Sequence, residues 1–291
     1  MLNKCHFLLF VPCFFFSTVI NAQQILASTG TVLENITYAT FSKTKVQLDL
    51  YQPQTKGIHP AIVLVHGGGW VNGSRKGFHQ MALSLAERGY VVANIDYRLA
   101  TQAQFPAAVQ DTKAAVRWLR QHAKLYNIDP GKIAGIGGSA GGHLIAMAAL
   151  TGHSKKFSDD YNYPEISSEL QAVILMGAGV DQVTRAENAK NQYVKNCVIF
   201  FAGSLKDKRE VYIQGSPITH ISANAPPILM VDGGQDNPGA RYVDFIPKLQ
   251  RFGIEYQFKV IADAKHGQWL KEKYLHSYVN TFDTFLQAHL H

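Results

Sequence analysis

Apolar and polar positions alternate in two stretches near the start of the chain, Ile36-Thr37-Tyr38-Ala39-Thr40-Phe41 and Lys45-Val46-Gln47-Leu48-Asp49-Leu50-Tyr51. That is the pattern of half-buried strands, and it predicts an antiparallel hairpin at one edge of a sheet. Tyr256 to Ile261 reads as the last strand, and the apolar runs before it do not alternate: Ala61 to Val65, Tyr90 to Tyr97, Lys132 to Ile136, Ala172 to Gly177 and Pro226 to Val231. Short runs of this kind read as strands covered on both faces.

Between them lie segments of helical spacing. Gly77 to Arg88 is stopped by Gly89. Phe105 to Tyr126 carries Ala108, Val109, Thr112, Ala115, Val116, Leu119 and Ala123 at helical intervals. His143 to Leu150, Ala240 to Phe252 (interrupted by Pro247) and Trp269 to Leu290 follow. Strand and helix in this rhythm argue for right-handed crossovers, hence an α/β fold with a mostly parallel central sheet and helices on both faces. Gln23 to Gly30 reads as a loose lead. Asp181 to Ile221 lacks a clear period and reads as short helices forming a partial cover over the strand ends. No repeat or linker divides residues 23–291, which read as a single domain.

Composition changes the picture at the N-terminus. Residues 1–22 read as a secretory signal peptide: Lys4 supplies the positive region, Phe7 to Phe16 the apolar one, and Ile20-Asn21-Ala22 the cut point. The apolar run is short for a bilayer span, so no stable membrane span is expected once it is removed. Cys5 and Cys13 leave with it. Of the three cysteines only Cys197 remains, which rules out an internal disulfide and makes it a buried small hydrophobe. An exported chain of this kind suits a bacterial periplasm or exterior. The net charge of +7 is scattered, without blocks of like charge, which argues against nucleic acid as a partner. No set of His, Cys or acidic residues has metal-ligand spacing, so no metal or cofactor is implied.

The candidate chemistry centres on Gly137-Gly138-Ser139-Ala140-Gly141, set between an apolar run and a helix-forming one. A serine on a sharp strand-to-helix turn has its hydroxyl pushed out above the sheet, and only small residues fit beside it. Alone the signal is weak, since G-x-S-x-G arises by chance in roughly one chain in ten of this length. A second glycine run, His66-Gly67-Gly68-Gly69-Trp70, follows a central strand. It is either a flexible loop or a place where something needs close access to the backbone. Asp236 and His266 each lie just past a predicted strand, on the same sheet edge as Ser139, in the order Ser, Asp, His. Asp232 lies nearer the strand interior, and Asp263, three residues before His266, reads as a brace for its loop. Asp96, Arg98 and His143 read as structural.

With these motifs in hand, the sequence resembles the α/β-hydrolase family, in the esterase/lipase branch related to hormone-sensitive lipase and to bacterial feruloyl and acetyl-xylan esterases. The resemblance is carried by His66-Gly67-Gly68-Gly69-Trp70, Asp96-Tyr97-Arg98-Leu99-Ala100, Gly137-Gly138-Ser139-Ala140-Gly141-Gly142-His143, Asp236 and His266-Gly267, and covers Val46 to Leu286. It departs at Thr101-Gln102, where Pro-Glu often follows, and in having no large N-terminal cap. It implies a serine esterase in which Ser139 is the nucleophile, His266 the general base and Asp236 its orienter. Backbone N–H groups of Gly68, Gly69 and Ala140 would form the oxyanion hole. Trp70 either walls the substrate pocket or simply packs. The implied partner is a small-molecule or polysaccharide ester. A prolyl-peptidase-like hydrolase and a non-catalytic binding module on the same fold are the rival readings.

Overall fold

A computed structural model describes residues 23–27, 30–159, 162–188 and 192–290. The predicted signal peptide, with Cys5 and Cys13, lies outside them. Among the described residues nine strands form one sheet, in the order β1-β2-β3-β5-β4-β6-β7-β8-β9. Strands β1 (Gln23–Ala27), β2 (Gly30–Phe41) and β3 (Thr44–Pro53) pair antiparallel, and β3 pairs antiparallel with β5 (Val91–Ile95). From β5 onward the sheet is parallel, through β4 (His59–Val65), β6 (Ile128–Gly138), β7 (Ala172–Met176), β8 (Ile228–Gly233) and β9 (Tyr256–Ile261). This is the α/β-hydrolase fold.

The central runs β4, β5, β7 and β8 are buried on both faces, as expected, whereas β9 closes the sheet as an edge strand with Val260 45% exposed. Ala61, Val63 and Val65 join one core cluster with helices α2 (Ala107–Gln121) and α3 (Ala140–Leu150). Ile62 and Leu64 join the other, with α1 (His79–Ala86) and α8 (Glu272–Leu290). Every residue of α3 is buried, because it lies directly over the sheet beneath other elements. The connection from β7 to β8 carries three short helices, α4 (Gln182–Asn188), α5 (Gln192–Phe200) and α6 (Leu205–Gln214), the partial cover read from Asp181 to Ile221. The final crossover helix is α7 (Phe245–Arg251).

Two expectations are corrected. The lead read over Gln23 to Gly30 is not loose at its start: Gln23 pairs with Glu34 and Ala27 with Gly30, so Gln23–Ala27 forms the outermost strand. Gly30 opens β2 at φ 139°, and the side of β2 away from β3 supplies the edge on which β1 pairs. The serine-bearing strand also starts earlier than Lys132, at Ile128, where it pairs with His59. Cys197 is buried, and burial pushes its thiol up to about 11.

Candidate active site

Strand β6 and helix α3 meet at one residue, Ser139, whose φ of 53° and ψ of −113° turn the chain sharply. Its N–H donates to the Met176 carbonyl at 2.7 Å, and its carbonyl accepts from the His143 N–H at 3.0 Å. The turn is crowded on every side. A Cβ on Gly137 would run into the Gly141 carbonyl, and one on Gly141 into the Val65 carbonyl. On Gly138 it would stand 2.9 Å from the Trp269 ring, and on Gly142 2.8 Å from Ala178. The glycine spacing in the sequence is thus a set of steric requirements.

The two loops that follow β8 and β9 are tied to each other. Gly234 N–H donates to the Ile261 carbonyl at 2.8 Å, and Gln235 N–H to the Ala264 carbonyl at 2.9 Å. Within that frame the Asp236 Oδ2 lies 2.7 Å from His266 Nδ1, and His266 Nε2 lies 2.9 Å from Ser139 Oγ. An ionised carboxylate can only accept, so it holds the imidazole proton on Nδ1. Nε2 is then left to accept from the serine hydroxyl. Burial alone would raise the Asp236 carboxyl, but hydrogen bonds from His266 and Arg241, with their charges, hold it below its ordinary value.

Arg241 was not legible in the sequence. Its Nη1 lies 3.0 Å from Asp232 and 3.2 Å from Asp236 Oδ2, and its Nη2 donates to Asp236 Oδ1 at 3.2 Å. Asp232 in turn accepts from the Gly239 N–H at 2.9 Å, closing the loop that carries Asp236. Burial pushes the Asp232 carboxyl up, and Arg241 only partly offsets this. Asp232 is therefore a brace, and Asp236 is the carboxylate that meets the histidine. Asp263 is exposed, and its carbonyl accepts from the Tyr274 hydroxyl at 3.0 Å.

Two more residues frame the imidazole. Trp269 meets the His266 ring edge-on, with centroids 5.2 Å apart. Gly177, at φ 57°, lies under the pair: a Cβ there would stand 3.0 Å from His266 Nδ1 and 3.4 Å from Asp236 Oδ2. A glycine directly after a central strand was the available sequence signal for it.

The second glycine run passes beside the serine. A Cβ on Gly67 would stand 3.4 Å from Ser139 Cβ. Gly68 and Gly69 have φ of 115° and 59°, and the Gly68 carbonyl turns inward to accept from Asn72 N–H at 3.0 Å. Among the described residues no protein acceptor meets the N–H of Gly68 or Gly69. Ala140 opens α3, so its N–H has no intrahelical acceptor either. Asn196 of α5 packs where a Gly69 side chain would go.

Trp70 is the corrected residue. It is 2 % exposed, so it packs rather than walls a substrate pocket. Its ring stacks on Phe200 at 4.6 Å, and its Nε1 donates to His143 Nδ1 at 3.1 Å. The other His143 nitrogen meets the Gly215 carbonyl at 2.7 Å, and burial holds the imidazole neutral by pushing it down to about 4. Asp96 and Arg98 are structural as expected: Asp96 binds Arg75, and Arg98 binds Asp111 with Nη2 at 2.7 Å.

A family model described as BD-FAE matches residues 48–239. The chain is 31% identical over 78% of its length to the probable carboxylic ester hydrolase LipM of Mycobacterium tuberculosis, covering 52% of that protein. It spans about half the length of the curated relatives it matches first. A solved structure described as a truncated carbohydrate esterase from gut microbiota superposes with a TM-score of 0.78 at 26% identity, over 89% of this chain and 97% of that one. An esterase of Thermogutta terrifontis, solved phosphorylated by paraoxon, gives a TM-score of 0.71 at 26% identity, over 87% and 92%.

Proposed function

The chain belongs to the BD-FAE family, and on that premise we propose that it is a serine carboxylic ester hydrolase. It acts on esters of short-chain or aromatic acyl groups, with acetyl or feruloyl decorations of polysaccharides as the favoured class. The observation that carries the reading is the hydrogen-bonded line from Ser139 Oγ through His266 to Asp236, beside N–H groups without protein acceptors.

The chemistry follows from that line. His266 Nε2 takes the hydroxyl proton as Ser139 Oγ attacks the ester carbonyl carbon. Asp236, ionised at neutral pH, holds the imidazole in the right tautomer and stabilises the imidazolium that forms. The N–H groups of Gly68, Gly69 and Ala140 receive the oxyanion, each contributing about two to three powers of ten in rate. His266 then protonates the leaving alcohol, and water repeats the sequence on the acyl-serine. The carbohydrate esterase of similar structure supports a sugar-borne alcohol, and the relative phosphorylated by paraoxon supports a nucleophile open to organophosphates. Export to a bacterial periplasm or exterior belongs to the same proposal, supported by the composition of residues 1–22.

The test is hydrolysis of 4-nitrophenyl acetate and butyrate by wild type and Ser139→Ala, with paraoxon labelling followed by mass. The wild type should turn over both esters and gain one diethylphosphoryl group. Ser139→Ala should lose about 10³-fold or more in kcat and stay unlabelled. Equal rates in the two proteins end the proposal. Acetylated xylan and feruloylated sugars in the same assay then rank the natural ester classes.

A further inference from the structure

Beside the triad, on the side of its acid, lies a cavity of about 320 Å³ lined among others by Gly179, Asp181, Arg185, Asn237, Arg241 and Asp244. That volume suits a sugar-sized group. It adjoins the catalytic residues by sequence and by contact. Asn237 follows Asp236, Arg241 binds Asp236, and Gly179 lies two residues beyond Gly177, which underlies His266.

The charges in the lining are not equivalent. Arg241 is already shared between Asp232 and Asp236. The Asp181 carboxylate accepts from Val183 N–H at 3.0 Å and from the Thr184 hydroxyl at 2.7 Å, so it is spent on the first turn of α4. Asp244 is exposed at the rim. Arg185 is different: among the described residues no carboxylate lies within 4.0 Å of its guanidinium.

Arg185 is nevertheless held in place. Its guanidinium carbon sits over the Tyr193 ring, 4.1 Å from the centroid. Its Nη1 occupies the space that a Cβ on Gly179 would take. The φ of Gly179 is one that any residue can adopt, so room for the guanidinium is what calls for glycine there. A planar fork fixed on an aromatic face, with its edge donors unpaired by any acid, is preorganised for a carboxylate.

We propose that this cavity is a subsite for a carboxylate carried by the ester substrate, with Arg185 as its counter-ion. The inference rests on the serine esterase reading above and names the substrate class it favours: esters that bear a monoanionic acid, on either the alcohol or the acyl part. A monoanion is favoured over a phosphate because Asp181 and Asp244 share the cavity, and a dianion would face both. A uronic acid and a dicarboxylic half-ester present the same group to Arg185.

The test uses matched pairs that differ in one carboxylate. Monoacetylated glucuronate against monoacetylated glucose places it on the alcohol. 4-Nitrophenyl hemisuccinate against 4-nitrophenyl butyrate places it on the acyl group. The readout is the ratio of kcat/KM, charged over neutral, in wild type, Arg185→Gln, Arg185→Lys and Gly179→Ala. In one of the two pairs that ratio should fall about tenfold in Arg185→Gln, the weak end of a charge-assisted contact at a half-exposed site. Gly179→Ala should lower it in the same pair by displacing the fork, and Arg185→Lys should retain part of it. The pair that responds identifies which part of the substrate carries the acid. A ratio unchanged in both pairs, while neutral esters are still hydrolysed, overturns the subsite alone. Absence of hydrolysis of the neutral esters by wild type overturns the esterase reading, and the subsite with it.

Discussion

Gly177→Ala separates the cost of a strained backbone from the cost of a displaced imidazole. The added Cβ would stand 3.0 Å from His266 Nδ1 and Cε1. Comfortable carbon contacts begin near ~3.5 Å, so the ring must retreat by about half an ångström. It can do so cheaply, because the His266 side chain is 38% exposed. The bonds it leaves behind are the ones the proposed mechanism needs, at 2.9 Å to Ser139 and 2.7 Å to Asp236. A misplacement of about 1 Å costs roughly 10²-fold, so half that predicts a loss of about tenfold in kcat. The φ of 57° adds a backbone cost of about 1 kcal/mol for alanine, partly offset by the stiffer unfolded chain, so Tm should fall by no more than about 4 °C. Gly89→Ala is the control: its φ is 93°, yet nothing lies within 4 Å of the added Cβ. It should show a similar Tm shift and full kcat. The assay is ester hydrolysis under saturating substrate, with thermal unfolding on the same samples. A Gly177→Ala enzyme with kcat within twofold of wild type, or one that loses as much through Gly89→Ala, refutes the reasoning.

Arg241→Gln removes the cation shared by Asp232 and Asp236. Asp236 titrates below its ordinary value, so its stabilising contribution is present above about pH 4 and is lost as pH falls through the lower folded value. Asp232, fully buried, would be left charged without a counter-ion at neutral pH and relieved by protonation in acid. Both effects point the same way: the variant should lose about 3 kcal/mol near pH 7.5, and the gap to wild type should narrow at pH 3.5, as followed by thermal unfolding. A gap that widens in acid contradicts this. Trp70→Phe deletes the donor to His143 and should cost about 1–2 kcal/mol of stability without altering the ranking of acyl chain lengths. A changed ranking would return Trp70 to the substrate pocket.

The parts of the site that were legible are those where chemistry or sterics fixes the residue type. Ser139, Asp236 and His266 fall at strand ends because a parallel sheet delivers its loops to one edge, and their order survives in the sequence. Gly137, Gly141 and Gly68 are legible because no other residue fits. Arg241 and Arg185 left no trace, since each acts through a contact between segments that follows no period. Trp70 stayed open because its burial depends on Phe200, 130 positions away and in a segment without clear periodicity. The outer strand Gln23–Ala27 was missed for a related reason: its pairing depends on the free edge of β2.

The cover built from α4 to α6 links chemistry to selection. Its Asn196 packs against Gly69, and its Phe200 stacks on Trp70, so it abuts the loop whose N–H groups are proposed to receive the oxyanion. Its Arg185 reaches back over Gly179, next to the glycine beneath the imidazole. The strand-end loops that hold the triad are tied by main-chain bonds and a shared arginine, and they tolerate little change. At these points the cover is bound mainly by side chains, with one main-chain bond from the Phe105 N–H to the Phe200 carbonyl at 2.8 Å. Substitutions within it can therefore alter which ester is accepted while the hydrogen-bonded line of Ser139, His266 and Asp236 stays as it is, because none of those three residues draws its position from the cover.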